Sequence, residues 1–504
     1  MDILTNTISL LFRPRQKEIA RFAQDADAIQ RKQLKSLLSA AKDTEWGLKY
    51  DYKSIQGYAD FCERIPLQTY DDIKPYVIRM INGEKNILWP SVVRWYAKSS
   101  GTTNDKSKFL PVTPEILKGC HYKGGFDTVS IYLRNNPDSH FFASKGLILG
   151  GSHSPSPLNR NAHCGDLSAV LLQNLNPLVN LIRVPDKKII LMDEWESKIK
   201  AIVESTWKAD VNNLSGVPSW MLVLIKAVLR KAGCEYLTDV WPNMEVFFHG
   251  GISFEPYRDQ YKALIPSDRM HYMETYNASE GFFGLQDDPA EHSLLMMIDY
   301  GVFYEFIPLN EVDSEHPTVL PLEAVEVGKN YAMVITTSGG LWRYQIGDTV
   351  RFTSLYPHKF VISGRTKNFI NAFGEELMVD NADKAISSVC RLTGAKVKEY
   401  TAAPLFMLDK AKGRHQWLIE FEKMPPSLEE FASLLDKTLQ QLNSDYEAKR
   451  YKEISLQPLE IRVAREGTFY EWLRRKGKLG GQHKIPRLSN DRTFIEELGR
   501  ICDL

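Results

Sequence analysis

Between residues 14 and 46 the apolar side chains fall at Ile19, Phe22, Ala23, Ile29, Leu34, Leu37 and Leu38, a spacing that gathers them on one helical face. Farther along, the pattern shortens into apolar runs at 145–151, 244–251 and 271–276, ending near glycine or small polar residues and alternating with helical stretches. Such alternation predicts an α/β domain, in which ligands collect at the carboxyl ends of the strands. The segments 293–306 and 331–352 are richer in β-formers, with turns at Asp299-Tyr300-Gly301 and Ser338-Gly339-Gly340, so an antiparallel, barrel-like subdomain is expected there. Beyond residue 371 come a helix near 377–393, strands near 396–403 and 416–422, a helix near 427–442, a strand near 458–464 and a helix near 467–476. The expected organisation is a large α/β N-terminal domain, residues 1–371, and a smaller α+β C-terminal domain, residues 372–504, without internal repeats.

Charge and composition narrow the classes. The 63 basic and 63 acidic residues cancel, which argues against a nucleic-acid partner held by broad positive charge. The most apolar helical stretch, 220–229, is short and contains Lys226, so it reads as an amphipathic helix and no membrane partner is expected. At the N-terminus an acid, Asp2, precedes a brief apolar run and the basic residues follow it, the reverse of a secretory signal. Cys62, Cys120, Cys164, Cys234, Cys390 and Cys502 are scattered without close pairs, which suits a reducing, cytoplasmic setting.

Several segments carry candidate chemistry. After an apolar run at 92–97, Ser99-Ser100-Gly101-Thr102-Thr103 offers four hydroxyls and an approachable backbone, with Lys106 and Lys108 nearby. Such a loop can wrap a polyanion, or it can be a polar turn; it lacks the Walker pattern. In Thr275-Tyr276-Asn277-Ala278-Ser279-Glu280-Gly281, Tyr276 offers an aromatic face to a base and Glu280 a hard oxygen to Mg²⁺; a plain loop fits as well. The acid of Gly347-Asp348 could accept from both hydroxyls of a ribose, although Gly-Asp turns are common. Ser363-Gly364-Arg365 precedes the domain junction, and Gly480-Gly481-Gln482-His483-Lys484-Ile485-Pro486-Arg487 forms a basic, glycine-rich loop near the C-terminus. His163, His249 and His292 have no metal-ligand spacing, and Gly-x-Ser-x-Gly is absent.

The order of these segments resembles the acyl-adenylating, luciferase-like superfamily. Within it, Ile65-Pro66-Leu67-Gln68-Thr69-Tyr70-Asp71-Asp72-Ile73-Lys74-Pro75-Tyr76, Asn82-Gly83-Glu84 and Gln482-His483-Lys484-Ile485-Pro486-Arg487 are similar to the Gretchen Hagen, auxin-responsive family of acyl-acid amido synthetases, over residues 60–487. The resemblance implies an ATP-dependent ligase that adenylates a small carboxylic acid and passes the acyl group to an amine, typically an amino acid. By the same resemblance Ser99, Ser100, Gly101, Thr102 and Thr103 hold phosphates, Tyr276 to Ser279 flank adenine with Thr275 also in the ATP site, and Glu280 binds Mg²⁺. Asp348 and Arg365 take the ribose, and Lys484 is brought in by a mobile small domain. The acid pocket is expected near 121–132 and 250–254. Three positions depart from the family pattern: Asp105 in the phosphate loop, Gln345 after Tyr344, and Ala278. The alternatives are an acyl-CoA ligase, which shares the first half-reaction, and a nucleotide-binding protein without turnover, against which Glu280 and Lys484 count. The identity of acid and amine, and the oligomeric state, are not encoded legibly.

Overall fold

In a computed structural model of the chain, the described residues are 2–99, 108–151, 153–155, 162–366, 369, 370, 372, 373, 375, 377–406, 413–450, 456–477, 479 and 485–502. The helical face read at the start of the chain belongs to two helices, Ile3–Ala20 and Phe22–Ala41. The first begins earlier than the periodicity suggests because the Thr5 amide donates to Asp2 Oδ1 at 2.9 Å, capping the helix. Phe12, Ile19, Phe22, Leu34, Leu37 and Leu38 from this pair are buried in the main core.

One twelve-stranded sheet organises the large domain. Its spatial order is Leu320–Pro321, Val302–Pro308, Asn330–Thr337, Tyr344–Leu355, His358–Arg365, Leu294–Met296, Gly281–Leu285, His271–Ala278, Val246–Gly250, Val211–Gly216, Lys145–Ile148 and Arg183–Val184. From Arg183–Val184 to His271–Ala278 neighbouring strands are parallel; beyond that they are antiparallel. The antiparallel region expected as a barrel-like unit instead extends the parallel half in one open sheet among the described strands. The tight hairpin at Ser279-Glu280 keeps Gly281–Leu285 paired to His271–Ala278, and the long-range pairing of Leu294–Met296 with His358–Arg365 carries the remaining strands on from there. Helices Trp195–Thr206 and Pro218–Ala232 cover the parallel half around Leu214, Met221, Ile225 and Phe247, all fully buried. The second of these is the most apolar stretch, and no helix of the described residues is long and apolar enough to cross a membrane. All six cysteines are free thiols.

The smaller C-terminal domain has its own two-faced sheet of Lys396–Phe406, Gly413–Lys423 and Glu460–Ala464. Strand alternation puts Trp417 and Ile419 against helices Val379–Thr393 and Leu428–Leu442, and Leu418 against Thr468–Arg475 and Thr493–Ile501.

A buried ion pair ties the segment 65–68 to the strand that follows it in space. Arg343, held at φ +43°, directs its Nε to both oxygens of Glu305 at 3.1 Å and its Nη1 to the carbonyls of Cys62 (3.0 Å) and Ile65 (2.7 Å). The Gln68 amide donates to Arg343 O at 2.9 Å, and the Gln345 amide to Gln68 O at 2.8 Å. The arginine next to Tyr344 is thus spent on structure, and the Ile65–Tyr76 signature docks on the start of Tyr344–Leu355.

Candidate functional site

The parallel strands end on one side of the sheet, and a cavity of about 1360 Å³ opens there, closed on its far side by residues of the C-terminal domain, including Asp383, Glu399 and Arg487. Ser99, Thr275, Tyr276, Asn277, Ala278, Ser279, Glu280, Asp348 and Arg365 all line it. Residues scattered over 260 positions of sequence therefore meet on one surface. Ser100, Gly101, Thr102, Thr103, Asp105 and Lys484 lie outside the described residues. What frames the first group is in place: strands Trp95–Ser99 and Lys108–Val112 pair antiparallel, with Ser99 opposite Lys108. Likewise Ile485, Pro486 and Arg487, which directly follow Lys484, line the cavity.

Local backbone geometry aims each group. Ser279 and Glu280 are the two turn residues of the hairpin, since Gly281 pairs with Ala278. Asp348 stands inside the strand Tyr344–Leu355 rather than in the expected turn. That strand bulges: Gln345 and Thr349 pair with Val334 and Ala332, leaving extra residues between them, and Gly347 there takes φ +84°. A bulge of this kind re-aims a side chain, here Asp348, towards the cavity, and glycine meets the left-handed backbone without a Cβ clash. Arg365 is the cross-strand partner of Asp348, and its Nε lies 2.8 Å from Asp348 Oδ1. The Tyr276 hydroxyl donates to the other carboxylate oxygen. Tyr276 is itself wedged edge-on against Phe283 and Phe360.

Glu280 has a different environment. It is only 6% exposed, and burial together with nearby Asp348 pushes its carboxyl up to about 7, against the opposing pull of Lys108 and Arg365. Arg365 is engaged with Asp348, so Glu280 is the less compensated carboxylate of the two. Among the described residues no cluster of three or more His, Cys, Asp or Glu could hold a metal by itself. A single hard carboxylate can nevertheless serve Mg²⁺, which keeps several waters and shares substrate oxygens.

Other groups in and around the cavity complete the picture. Glu274 lines the cavity two residues before Tyr276, on the same strand face, and burial pushes its carboxyl up to about 7 while Arg258 pulls it down. Period-two alternation from Tyr276 would have pointed to it. His121 sits in a π-helical turn, Leu117–Tyr122, with Nδ1 2.9 Å from Asn277 Oδ1; burial holds it down near 4, so it is a neutral support for Asn277. Arg487, part of the quoted C-terminal motif, bonds Asp383 of its own domain and donates to Tyr257 Oη of the large domain at 3.3 Å. Lys198 is buried and donates to the carbonyls of Gly150 (2.6 Å) and Gly151 (3.2 Å), fixing the turn after Lys145–Ile148. Of the segments expected to form an acid pocket, Gly125, Thr128 and Val129 on one side and Gly250 to Phe254 on the other do line the cavity. Gly250 is required: a Cβ there would meet Thr275 O at 2.2 Å.

Comparison with known proteins places this arrangement. The chain is 25% identical to indole-3-acetic acid-amido synthetase GH3.3 of Arabidopsis thaliana, over 95% of its own length and 92% of the relative's. It is 22% identical to 4-substituted benzoates-glutamate ligase GH3.12 of the same plant, over 94% of each chain. The fold is similar to that of a solved GH3.15 acyl acid amido synthetase, with a TM-score of 0.76, 19% identity, and 96% and 94% of the two chains covered. The GH3 family N-terminal domain matches residues 15–270, the GH3 family central domain 295–365 and the GH3 family C-terminal domain 380–493. Matching in chain order and over most of its length, the chain belongs to the GH3 family.

Proposed function

We propose that this protein is an ATP-dependent acyl-acid amido synthetase, which joins a small carboxylic acid to an amine, with an amino acid as the acceptor. The observation that carries the reading is the triad of Glu280, Asp348 and Arg365 in the lining of a large, mostly apolar cavity between two domains. A carboxylate reacts poorly with amines. In the first half-reaction an acid oxygen attacks the α-phosphorus of ATP, the bond to the bridging oxygen breaks and pyrophosphate leaves. In the second the amine attacks the acyl carbon, AMP departs and the amine proton is lost.

The chain's own residues divide this work. Asp348 accepts from the ribose hydroxyls, with Arg365 holding its carboxylate in place. Tyr276 packs an aromatic wall beside the base, and Thr275 to Ser279 shape the adenine slot. Ser99 to Thr103 surround the phosphates. Mg²⁺, held by Glu280, would neutralise developing phosphate charge. Lys484 adds the last positive charge from the C-terminal domain, residues 372–504, which turns on residues 1–371 between half-reactions. The absence of a paired-cysteine framework supports a cytoplasmic setting.

ATP–pyrophosphate exchange across a panel of acids tests the first half-reaction, and product analysis with amino acids against coenzyme A tests the second. Exchange without amide formation would leave an acyl-CoA ligase; no exchange with any acid would remove the enzyme reading. Asp348→Ala is expected to weaken ATP binding about ten- to a hundredfold, the scale of hydrogen bonds to a charged group; unchanged affinity by calorimetry would sink the ribose assignment. Glu280→Gln is expected to raise the Mg²⁺ concentration needed for exchange and to slow it. An identical Mg²⁺ titration would move the metal elsewhere, with Asp105 next in line.

A further inference from the structure

The π-helical turn Leu117–Tyr122 runs straight into the helix Lys123–Asn135, and both pack on the hairpin that carries Glu280. Cys120 Sγ accepts from the Phe282 amide at 3.1 Å, and a Cβ on Gly124 would come 2.4 Å from the Phe282 ring. Phe282 is the cross-strand partner of Asn277, and such partners point to one face of a sheet. Tyr276, one residue earlier, packs on Phe283 on the opposite face. The Asn277 side chain therefore faces the helix whose Gly125, Thr128 and Val129 line the cavity, and Asn277 lines it with them. It stands between Tyr276, beside the base in the reading above, and the pocket expected for the acid.

His121 fixes which end of the Asn277 amide is free. Its Nδ1 is 2.9 Å from Asn277 Oδ1, and its Nε2 is buried without a partner among the described residues. The neutral ring carries a single proton. On Nε2 that proton would be a buried donor with nothing to receive it, so it sits on Nδ1 and donates to Asn277 Oδ1. The Asn277 oxygen is thereby spent. Its Nδ2 has no partner among the described residues yet stays accessible, on a residue that is only part-buried. Of the three lining residues on the helix only Thr128 is polar, and its hydroxyl donates to Gly124 O at 2.8 Å. The Asn277 amide is thus the donor that this wall presents.

We propose that Asn277 Nδ2 donates to one carboxyl oxygen of the acid, the same oxygen in both half-reactions, and that His121 is the positioning residue that aims it. The proposal rests on the amido synthetase reading above. In adenylation the other carboxyl oxygen attacks phosphorus, and the held oxygen becomes the carbonyl of the acyl-adenylate. When the amine nitrogen attacks the acyl carbon, a C–N bond forms and the carbonyl electron pair moves onto the held oxygen. The pair returns as the bond from carbon to the AMP oxygen breaks; AMP leaves with the electrons of that bond, and the amine proton passes to solvent. A donor aimed at the held oxygen acts most strongly in this second step, where charge develops on it. Asn277 belongs to the sheet of the large domain, so it stays with the acyl group while the C-terminal domain turns.

The test uses the full chain, the acid of a benzoic, phenylacetic and alkanoic panel that exchanges fastest, its synthetic adenylate, and the amino acid that yields product. Asn277→Ala is expected to raise the KM for the acid in ATP–pyrophosphate exchange about tenfold. Single-turnover transfer from the adenylate is expected to slow about a hundred- to a thousandfold, with ATP affinity by calorimetry unchanged. Asn277→Asp keeps an acceptor for His121 and replaces only the donor, which separates the contact from the fold; its transfer is expected to be at least as slow. His121→Phe, which frees the amide to turn, is expected to give a smaller loss in the same two quantities, and His121→Gln, which can still donate, to recover part of it. Transfer at the wild-type rate in either Asn277 variant would overturn the proposal and leave the amido synthetase reading intact. So would an Asn277→Ala loss of ATP affinity as large as the loss for the acid, which would put the side chain in the nucleotide slot. Unaltered transfer in His121→Phe would overturn the positioning role. Exchange by the wild-type chain with none of the acids would overturn both readings.

Discussion

Lys484→Ala is expected to slow acyl-adenylate formation by two to three orders of magnitude, the scale for losing one preorganised electrostatic group. Transfer from a synthetic acyl-adenylate to the amine is expected to change little. In the sequence the residue follows Gly480 and Gly481, the residue type with the widest backbone freedom, and precedes Pro486, whose φ is fixed. Immediately after it, Ile485 to Arg487 line the cavity, and Arg487 is bonded to Asp383 and to Tyr257 across the domain boundary. The proposed role requires this lysine, three residues before such an anchor, to meet the nucleotide when the domains close on each other. Single-turnover measurements of the two half-reactions separate the possibilities. No change in either step would make Lys484 a solvated surface charge. Equal loss in both would give the loop a docking role and remove the catalytic one.

What could be read from the sequence was what local pattern dictates. The C-terminal elements were legible almost to the residue: the helix expected at 427–442 is Leu428–Leu442, and the strand expected at 458–464 is Glu460–Ala464. Each has a strong period and a cap or turn at its ends, Ser427 accepting from the Glu430 amide in the helix. The sheet was legible as strands but not as one sheet. Whether an antiparallel run closes on itself or extends a parallel neighbour depends on long-range pairing such as Leu294 with Phe360, which no local pattern encodes. The same limit applies to the site. Glu280 and Asp348 announce themselves through motifs, and they converge. His121 belongs to no motif, and only the packing of its helix on the hairpin brings it to Asn277. Arg343 shows the same limit: nothing in its local pattern says that the fold turns it into the interior to pair with Glu305.

That arginine gives the largest expected effect on stability. Arg343→Met is expected to destabilise the protein by about 3–5 kcal/mol, the usual penalty for stripping one partner from a buried ion pair. Glu305 is fully buried, and besides Arg343 it accepts from the Tyr58 hydroxyl at 3.1 Å. Without the guanidinium its carboxylate is left uncompensated in a low-dielectric core, and the carbonyls of Cys62 and Ile65 lose their donor. A fall in melting midpoint of about 4–6 °C is expected. Replacing both partners, as in Arg343→Met with Glu305→Leu, removes the stranded charge and is expected to recover much of the loss, because hydrophobic substitutes for a buried pair are often neutral or better. ATP affinity should follow stability in this series: Gln68 bridges to Tyr344 beside Arg343, and Asp348 lies on that same strand. A single variant that melts with the wild type would show that the pair does not hold this corner of the sheet. A double variant as unstable as the single one would place the cost in the lost carbonyl contacts rather than in the charge.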